Sequence, residues 1–339
     1  MTRRTKPTDG TGKAKRRRWP RVVGLTALGL VVLLIVAAGV LWVWKPWLPP
    51  IPITEPGPGG ERVQDGAVFG NYYAADEGAP AVLLLGGSEG GLGGRSDRAA
   101  RELNAAGYHT LAIAYHGGPG QSTAMSRLPL ETFDEALAWL AARPGVDAER
   151  MAVLGASKGA EAALLIGTAH PELRAVIAVV PSSVVWQGFD LRGNMFADVG
   201  STWSRGGAEV PYLPIGSSRG DPLEAYRNGL AALPQHPDAV IPVERIEGGV
   251  LLLCGEQDGL WPSCEMSRQI EQRAAEHGGP EVTLLDFPEA GHIIGGPRTP
   301  EDDPAYQDLG TFGGTPASNA QAQEEGWNAT LEHLRNAFA

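Results

Sequence analysis

Residues 151–170 read MAVLGASKGAEAALLIGTAH. Four apolar residues suited to a buried strand run into Gly155-Ala156-Ser157-Lys158-Gly159, and a helix-length stretch rich in alanine and leucine follows. A serine held on a sharp strand-to-helix turn needs glycine two residues before and after it, because a side chain at either place would crowd the adjoining backbone. The spacing therefore predicts a strand, a nucleophile-bearing turn and a helix. A chain built on that unit has a sheet whose strands alternate with helices.

The same G-x-S-x-G pattern recurs around Ser88 (GGSEG, 86–90) and Ser218 (GSSRG, 216–220), and with 46 glycines in 339 residues the bare pattern is weak. Context separates the three. Ser88 follows an apolar run but leads into GGLGGRS, which is no helix, and Ser218 has no strand before it. Only Ser157 has both.

Further strands are predicted at 81–85, 110–115, 175–180, 250–253 and 282–287, and further helices at 95–106, 130–142, 263–277 and about 317–338. Most of the strands are unbroken apolar runs, as in a parallel sheet covered on both faces. The expected architecture is a doubly wound, mostly parallel α/β sheet, the α/β-hydrolase arrangement. Residues 182–249, rich in Gly, Pro and aromatics, break the alternation and are read as a cap insertion over the sheet's carboxyl edge.

A serine hydroxyl is inert near neutral pH without a base beside it, and the base needs an orienting acid. Of seven histidines, His292 in FPEAGHIIGGP lies on a glycine-flanked turn directly after a strand; His170, His277 and His333 fall on helices or their ends and read as solvated. Asp258 in VLLLCGEQDGLWP is the acid candidate, with Glu256 as runner-up. The order Ser157, Asp258, His292, each after a strand, is that of α/β-hydrolases. The backbone N–H groups of Lys158 and of Ser88 are the expected oxyanion donors, the Lys158 side chain pointing elsewhere. A phosphate-cradling loop is the competing reading of GGSEGGLGG, but neither G-x-x-x-x-G-K-[ST] nor G-x-G-x-x-G entering a helix is present. Trp186, Trp203 and Trp261 are candidate walls of an apolar acyl pocket, or else plain core. The expected triad chemistry requires no metal or organic cofactor, and two cysteines exclude a four-Cys zinc or iron–sulfur site.

The net charge of −11 argues against nucleic acid as a partner and is unevenly spread: residues 1–21 hold nine basic side chains and one acid, leaving 19 basic and 38 acidic residues after them. Residues 22–44 carry no charge and end in Trp42 and Trp44, with Trp47 just beyond. At about 1.5 Å per residue this is long enough to span a membrane. The basic tip at 1–21 places the N-terminus in the cytoplasm and the rest outside; a cleaved signal peptide, hence secretion, is the alternative. Six prolines between residues 45 and 61 predict a stiff extended stalk, leaving 62–339 as the hydrolase domain. On an oxidising outer face Cys254 and Cys264 could bridge; the alternative is two small buried hydrophobes.

Four stretches carry a family likeness: GGSEGGLGGRSDRAARELNAAGYHTLAIAYHG (86–117), LETFDEALAWLAARPGVDAERMAVLGASKGAEAAL (130–164), IPVERIEGGVLLLCGEQDGLWPSCEMS (241–267) and FPEAGHIIGGP (287–297). They resemble successive blocks of the C-terminal catalytic domain of acyl-CoA thioesterases and bile acid-CoA:amino acid N-acyltransferases, a branch close to dienelactone hydrolases. The resemblance implies Ser157, Asp258 and His292 as a triad. Some relatives carry cysteine at the nucleophile position, and serine leans toward hydrolysis. The expected function is a membrane-anchored serine hydrolase of an acyl ester or thioester. Alternatives are acyl transfer to an amine or hydroxyl through the same triad, and a non-catalytic binding protein.

Overall fold

In the computed structural model, which describes residues 19–44, 48, 50–190, 192–193 and 199–339, eight strands pair in the order β1-β2-β4-β3-β6-β7-β10-β11. These are β1 (Gly60–Asp65), β2 (Val68–Tyr73), β3 (Ala79–Leu85), β4 (His109–Ala114), β6 (Val146–Ala156), β7 (Ala175–Val179), β10 (Gly249–Gly255) and β11 (Val282–Phe287). All pairings from β4 to β11 are parallel, whereas β1–β2 and β2–β4 are antiparallel. All six strands expected from apolar runs are present. The hairpin β1–β2 was not expected. Its edge strand GERVQD buries one residue and exposes three, so it has no apolar run to betray it.

Alternate residues of each central strand face opposite sides. Leu83, Leu111, Val153, Val176 and Leu252 pack with α3 (Glu131–Ala141), α4 (Lys158–Ala169) and α6 (Ser263–His277). Val82, Ala112, Leu154, Ile177 and Leu251 pack with α2 (Gly94–Ala105) and α7 (Pro316–Ala337). Helices on both faces bury both sides of the strands, which accounts for the unbroken apolar runs. The chain has the α/β-hydrolase fold.

The insertion at 182–249 carries elements of its own: α5 (Pro222–Leu230), short 3-10 turns, and strands β8 (Trp203–Arg205) and β9 (Ala208–Glu209), which form a small sheet with β5 (Leu128–Pro129).

The chain divides into one unit over residues 1–49 and another over residues 50–339. In the first, Trp19–Trp44 is one helix, α1; its segment Val23–Trp42 has a mean hydropathy of 2.7 and none of it is buried. The basic tip lies outside the described residues up to residue 18. From Pro50 onward the expected stalk is corrected. Leu92 donates its N–H to the Pro52 carbonyl and Thr54 returns one to the Leu92 carbonyl, each at 2.8 Å, and the Tyr73 hydroxyl accepts from the Gly57 N–H at 2.7 Å. Proline lacks a donor but keeps its carbonyl, and here that carbonyl finds a partner on the hydrolase body.

Candidate active site

The turn between β6 and α4 holds Ser157 at φ 56°, ψ −119°, a left-handed conformation that a non-glycine residue adopts only when its surroundings enforce it. The enforcement is visible. A Cβ on Gly159 would meet the Gly86 carbonyl and stand 2.7 Å from the Leu85 carbonyl, and one on Gly155 would meet the Gly159 backbone. Glycine at both places lets β6, α4 and the end of β3 touch. The Ser157 N–H donates to the Val179 carbonyl at 2.9 Å, fixing the turn to β7.

Two later loops come to the serine. The one after β10 carries Asp258, and the one after β11 carries His292. His292 Nε2 stands 3.0 Å from Ser157 Oγ, and its Nδ1 is 2.8 Å from Asp258 Oδ2. The second Asp258 oxygen accepts the N–H groups of Leu260 (2.9 Å) and Trp261 (3.2 Å), which hold the carboxylate in register. Asp258 and His292 are buried while Ser157 is half-exposed, so the relay is shielded on its acid side and open on the serine side. Glu256 pairs instead with Arg268. Ser218 lies in the loop before α5, with neither a strand directly before it nor a histidine hydrogen-bonded to it among the described residues.

Lys158 opens α4, so its N–H has no intrahelical acceptor. Its side chain is fully buried: Nζ donates to Glu161 Oε2 and Thr202 Oγ1, each at 2.9 Å. Glu161 Oε1 in turn accepts the Trp203 indole N–H at 2.8 Å and the Trp186 backbone N–H at 3.2 Å. Burial pushes the Glu161 carboxyl up and the Lys158 amine down, and each is opposed by the other's charge. This pair ties the insertion to the helix that carries the serine. It was readable in part: lysine and glutamate three apart on an otherwise apolar helix have no solvent face to occupy.

Of the two readings open for Trp186 and Trp203, pocket wall or plain core, their burial favours core. Neither side chain is exposed, and Trp203 packs on Tyr115 and Phe133 at ring distances of 5.7 and 5.8 Å. Trp261 is also buried, edge-on to His292 at 5.7 Å. Ser88 stays partly exposed in the loop after β3. Beneath that loop, Tyr115 donates its hydroxyl to the Gly86 carbonyl at 2.8 Å, and His116 is buried against Gly90. Burial lowers the pKa of His116. His333, expected to be solvated, is half-buried and bonds the Gly249 carbonyl at 3.2 Å.

Cys254, the penultimate residue of β10, and Cys264, in the first turn of α6, are joined by a disulfide that encloses the Asp258 loop. Sequence reading missed Asn319 of α7, a buried amide that contacts the histidine loop. Nothing local to Asn319 signals that contact.

Fold and residue arrangement together define the α/β-hydrolase class. Residues 128–339, more than half of the chain, match the family model described as BAAT / Acyl-CoA thioester hydrolase C terminal, and the chain belongs to that family. It is similar to human acyl-coenzyme A thioesterase 1, 29% identical over 287 residues covering 80% of this chain and 64% of that protein. Rat acyl-coenzyme A amino acid N-acyltransferase 2 is 26% identical over 83% of this chain and 66% of its own length. The chain thus spans less than two thirds of the length of these curated relatives. A dienelactone hydrolase-like promiscuous phosphotriesterase from metagenomic libraries superposes with a TM-score of 0.50 at 16% identity, covering 83% of this chain and 98% of that one, and shares the fold.

Proposed function

We propose that this chain is a serine hydrolase acting on an acyl ester or thioester, with Ser157 as nucleophile, His292 as general base and acid, and Asp258 as the orienting acid. The observation that carries the reading is the unbroken chain of contacts from Ser157 Oγ through His292 to Asp258, 3.0 and 2.8 Å long. In acylation Ser157 Oγ bonds to the substrate carbonyl carbon and its proton passes to His292 Nε2. The tetrahedral intermediate then expels the alcohol or thiol, which takes that proton. In deacylation His292 takes a proton from water as the water oxygen attacks the acyl-serine, and returns it to Ser157 as the acid leaves. The negative oxygen of each intermediate is received by the backbone N–H groups of Lys158 and Ser88, the former at a helix N-terminus where the dipole favours it.

The test is labelling with a fluorophosphonate probe, followed by turnover of p-nitrophenyl esters and acyl thioesters. Wild type should label and turn over, and Ser157→Ala should do neither. Labelling that persists in Ser157→Ala overturns the assignment. Acyl transfer to an amine is the second reading, supported by the similarity to the rat amino acid N-acyltransferase; added amines that raise acyl-amide product at the expense of free acid would establish it.

We further propose that α1 anchors the enzyme in a membrane, N-terminus inside. Support comes from its length, its 2.7 mean hydropathy and the nine basic residues before or at its start. Carbonate extraction should leave the full chain in the membrane pellet; a mature N-terminus near residue 40 in the soluble fraction overturns the anchor.

A further inference from the structure

The loop 86–92 brings a carboxylate to the nucleophile. The point at which a Cβ on Gly87 would stand is 3.3 Å from Ser157 Cβ and 2.8 Å from Glu89 Oε2. Gly87 therefore separates the two side chains by little more than the width of one methyl group. Glu89 Oε1 accepts the Gly87 N–H at 3.1 Å, its one side-chain hydrogen bond among the described residues. That bond holds the carboxylate beside the loop while leaving the charge exposed to an incoming substrate.

Among the described residues Glu89 forms no ion pair that would offset this charge. Lys158 is the only lysine after residue 45, and it is consumed by Glu161 at 2.9 Å. His116, behind the loop, has its pKa lowered by burial. Burial raises the pKa of the Tyr115 phenol beneath the loop, and the charges of Glu89 and Glu161 add to the rise.

We infer that Glu89 determines substrate charge: the site takes acyl esters and thioesters whose leaving group is neutral or cationic and disfavours anionic ones, a polyanionic thiol such as coenzyme A included. The inference rests on the hydrolase reading above and narrows it. Two unit charges about 6 Å apart interact by an amount that changes a rate roughly 3-fold at bulk-water dielectric and about 100-fold at the effective dielectric of a protein surface. Because Glu89 is exposed, salt weakens the effect.

The experiment uses the full chain and three thioesters of one acyl group, differing only in the thiol: thiocholine (cationic), N-acetylcysteamine (neutral) and 3-mercaptopropanesulfonate (anionic). Released thiol is read with a chromogenic disulfide. For wild type, kcat/KM for the cationic substrate should exceed that for the anionic one about 10-fold or more. In Glu89→Gln, which keeps an acceptor for the Gly87 N–H, that ratio should fall to within about 3-fold, and 0.5 M salt should lower the wild-type ratio. Rates of Ser157 labelling by a cationic and an anionic phosphonate probe read the same selection without turnover. A ratio unaltered in Glu89→Gln by either readout, or wild-type preference for the anionic partner, overturns the inference and leaves the hydrolase reading intact. Failure of wild type both to label and to turn over any substrate removes the hydrolase reading, and this inference with it.

Discussion

Asn319 Oδ1 accepts a 2.7 Å hydrogen bond from the N–H of Gly291, the residue immediately before His292. The same carboxamide donates to the Leu309 carbonyl at 2.6 Å and the Gly313 carbonyl at 3.0 Å. Between those two lies Phe312, whose carbonyl accepts the N–H groups of both His292 and Gly259, each at 3.0 Å. One buried amide on α7 thus fixes a segment that holds the base-bearing and acid-bearing loops at a common point. Asn319→Ala should leave a buried N–H unpaired and cost about 1–3 kcal/mol. With active sites counted by probe labelling, kcat should fall while KM changes little, because the relay loses alignment and the substrate contacts do not. Thermal melts beside steady-state kinetics check both. A raised KM at constant kcat would count against a positioning role.

The buried Lys158–Glu161 pair has a different signature. Removing one partner strands the other charge, whereas removing both can be neutral. Lys158→Met or Glu161→Leu alone should destabilise the fold by about 3–5 kcal/mol. The double variant should recover much of that in chemical denaturation. Recovery will be incomplete, because Trp203 Nε1 and Thr202 Oγ1 also lose a partner.

Cys254 and Cys264 close a short loop around Asp258. Constraining such a loop in the unfolded chain contributes roughly 2–3 kcal/mol in the chain-entropy account. A thiol titration under denaturing conditions should find no free thiol before reduction and two after it. Reductant should lower the melting temperature, and activity should fall in parallel as the Asp258 loop loosens.

The contrast between Ser157 and Asn319 shows what a sequence can carry. Ser157 and Asp258 follow strands that are apolar runs, and His292 follows the mostly apolar edge strand VTLLDF, so local pattern and chain order suffice to find them. Asn319 makes its contact across 28 residues to Gly291, and any buried polar residue of α7 would look the same from sequence. The hairpin β1–β2 escaped because an edge strand needs only one apolar residue in six. Trp203 stays open in sequence between pocket wall and core for a related reason: a pocket-lining indole and one that donates to a buried glutamate have the same composition around them. The prolines after residue 49 suggested a free stalk because proline content reports missing donors, not whether the remaining carbonyls are used.

One buried and one half-buried histidine, His116 and His333, contribute to the acid limb of stability. Burial lowers the pKa of both His116 and His333 below the ordinary value of about 6.5. The unfolded chain therefore binds protons that the folded chain refuses once the pH falls through about 6.5. The stabilisation is fully present above that value and is lost as the medium is acidified. Each histidine contributes a slope of at most about 1.4 kcal/mol per pH unit. The carboxyls held low by hydrogen bonds and arginines, Asp147 and Glu244 among them, act only further down, below their own ordinary range. Urea unfolding between pH 7.5 and 5 isolates the histidine limb. Stability should decline through this window in wild type, and His116→Gln should decline less steeply by up to one proton. A variant whose slope matches wild type would show that His116 takes up its proton as readily folded as unfolded.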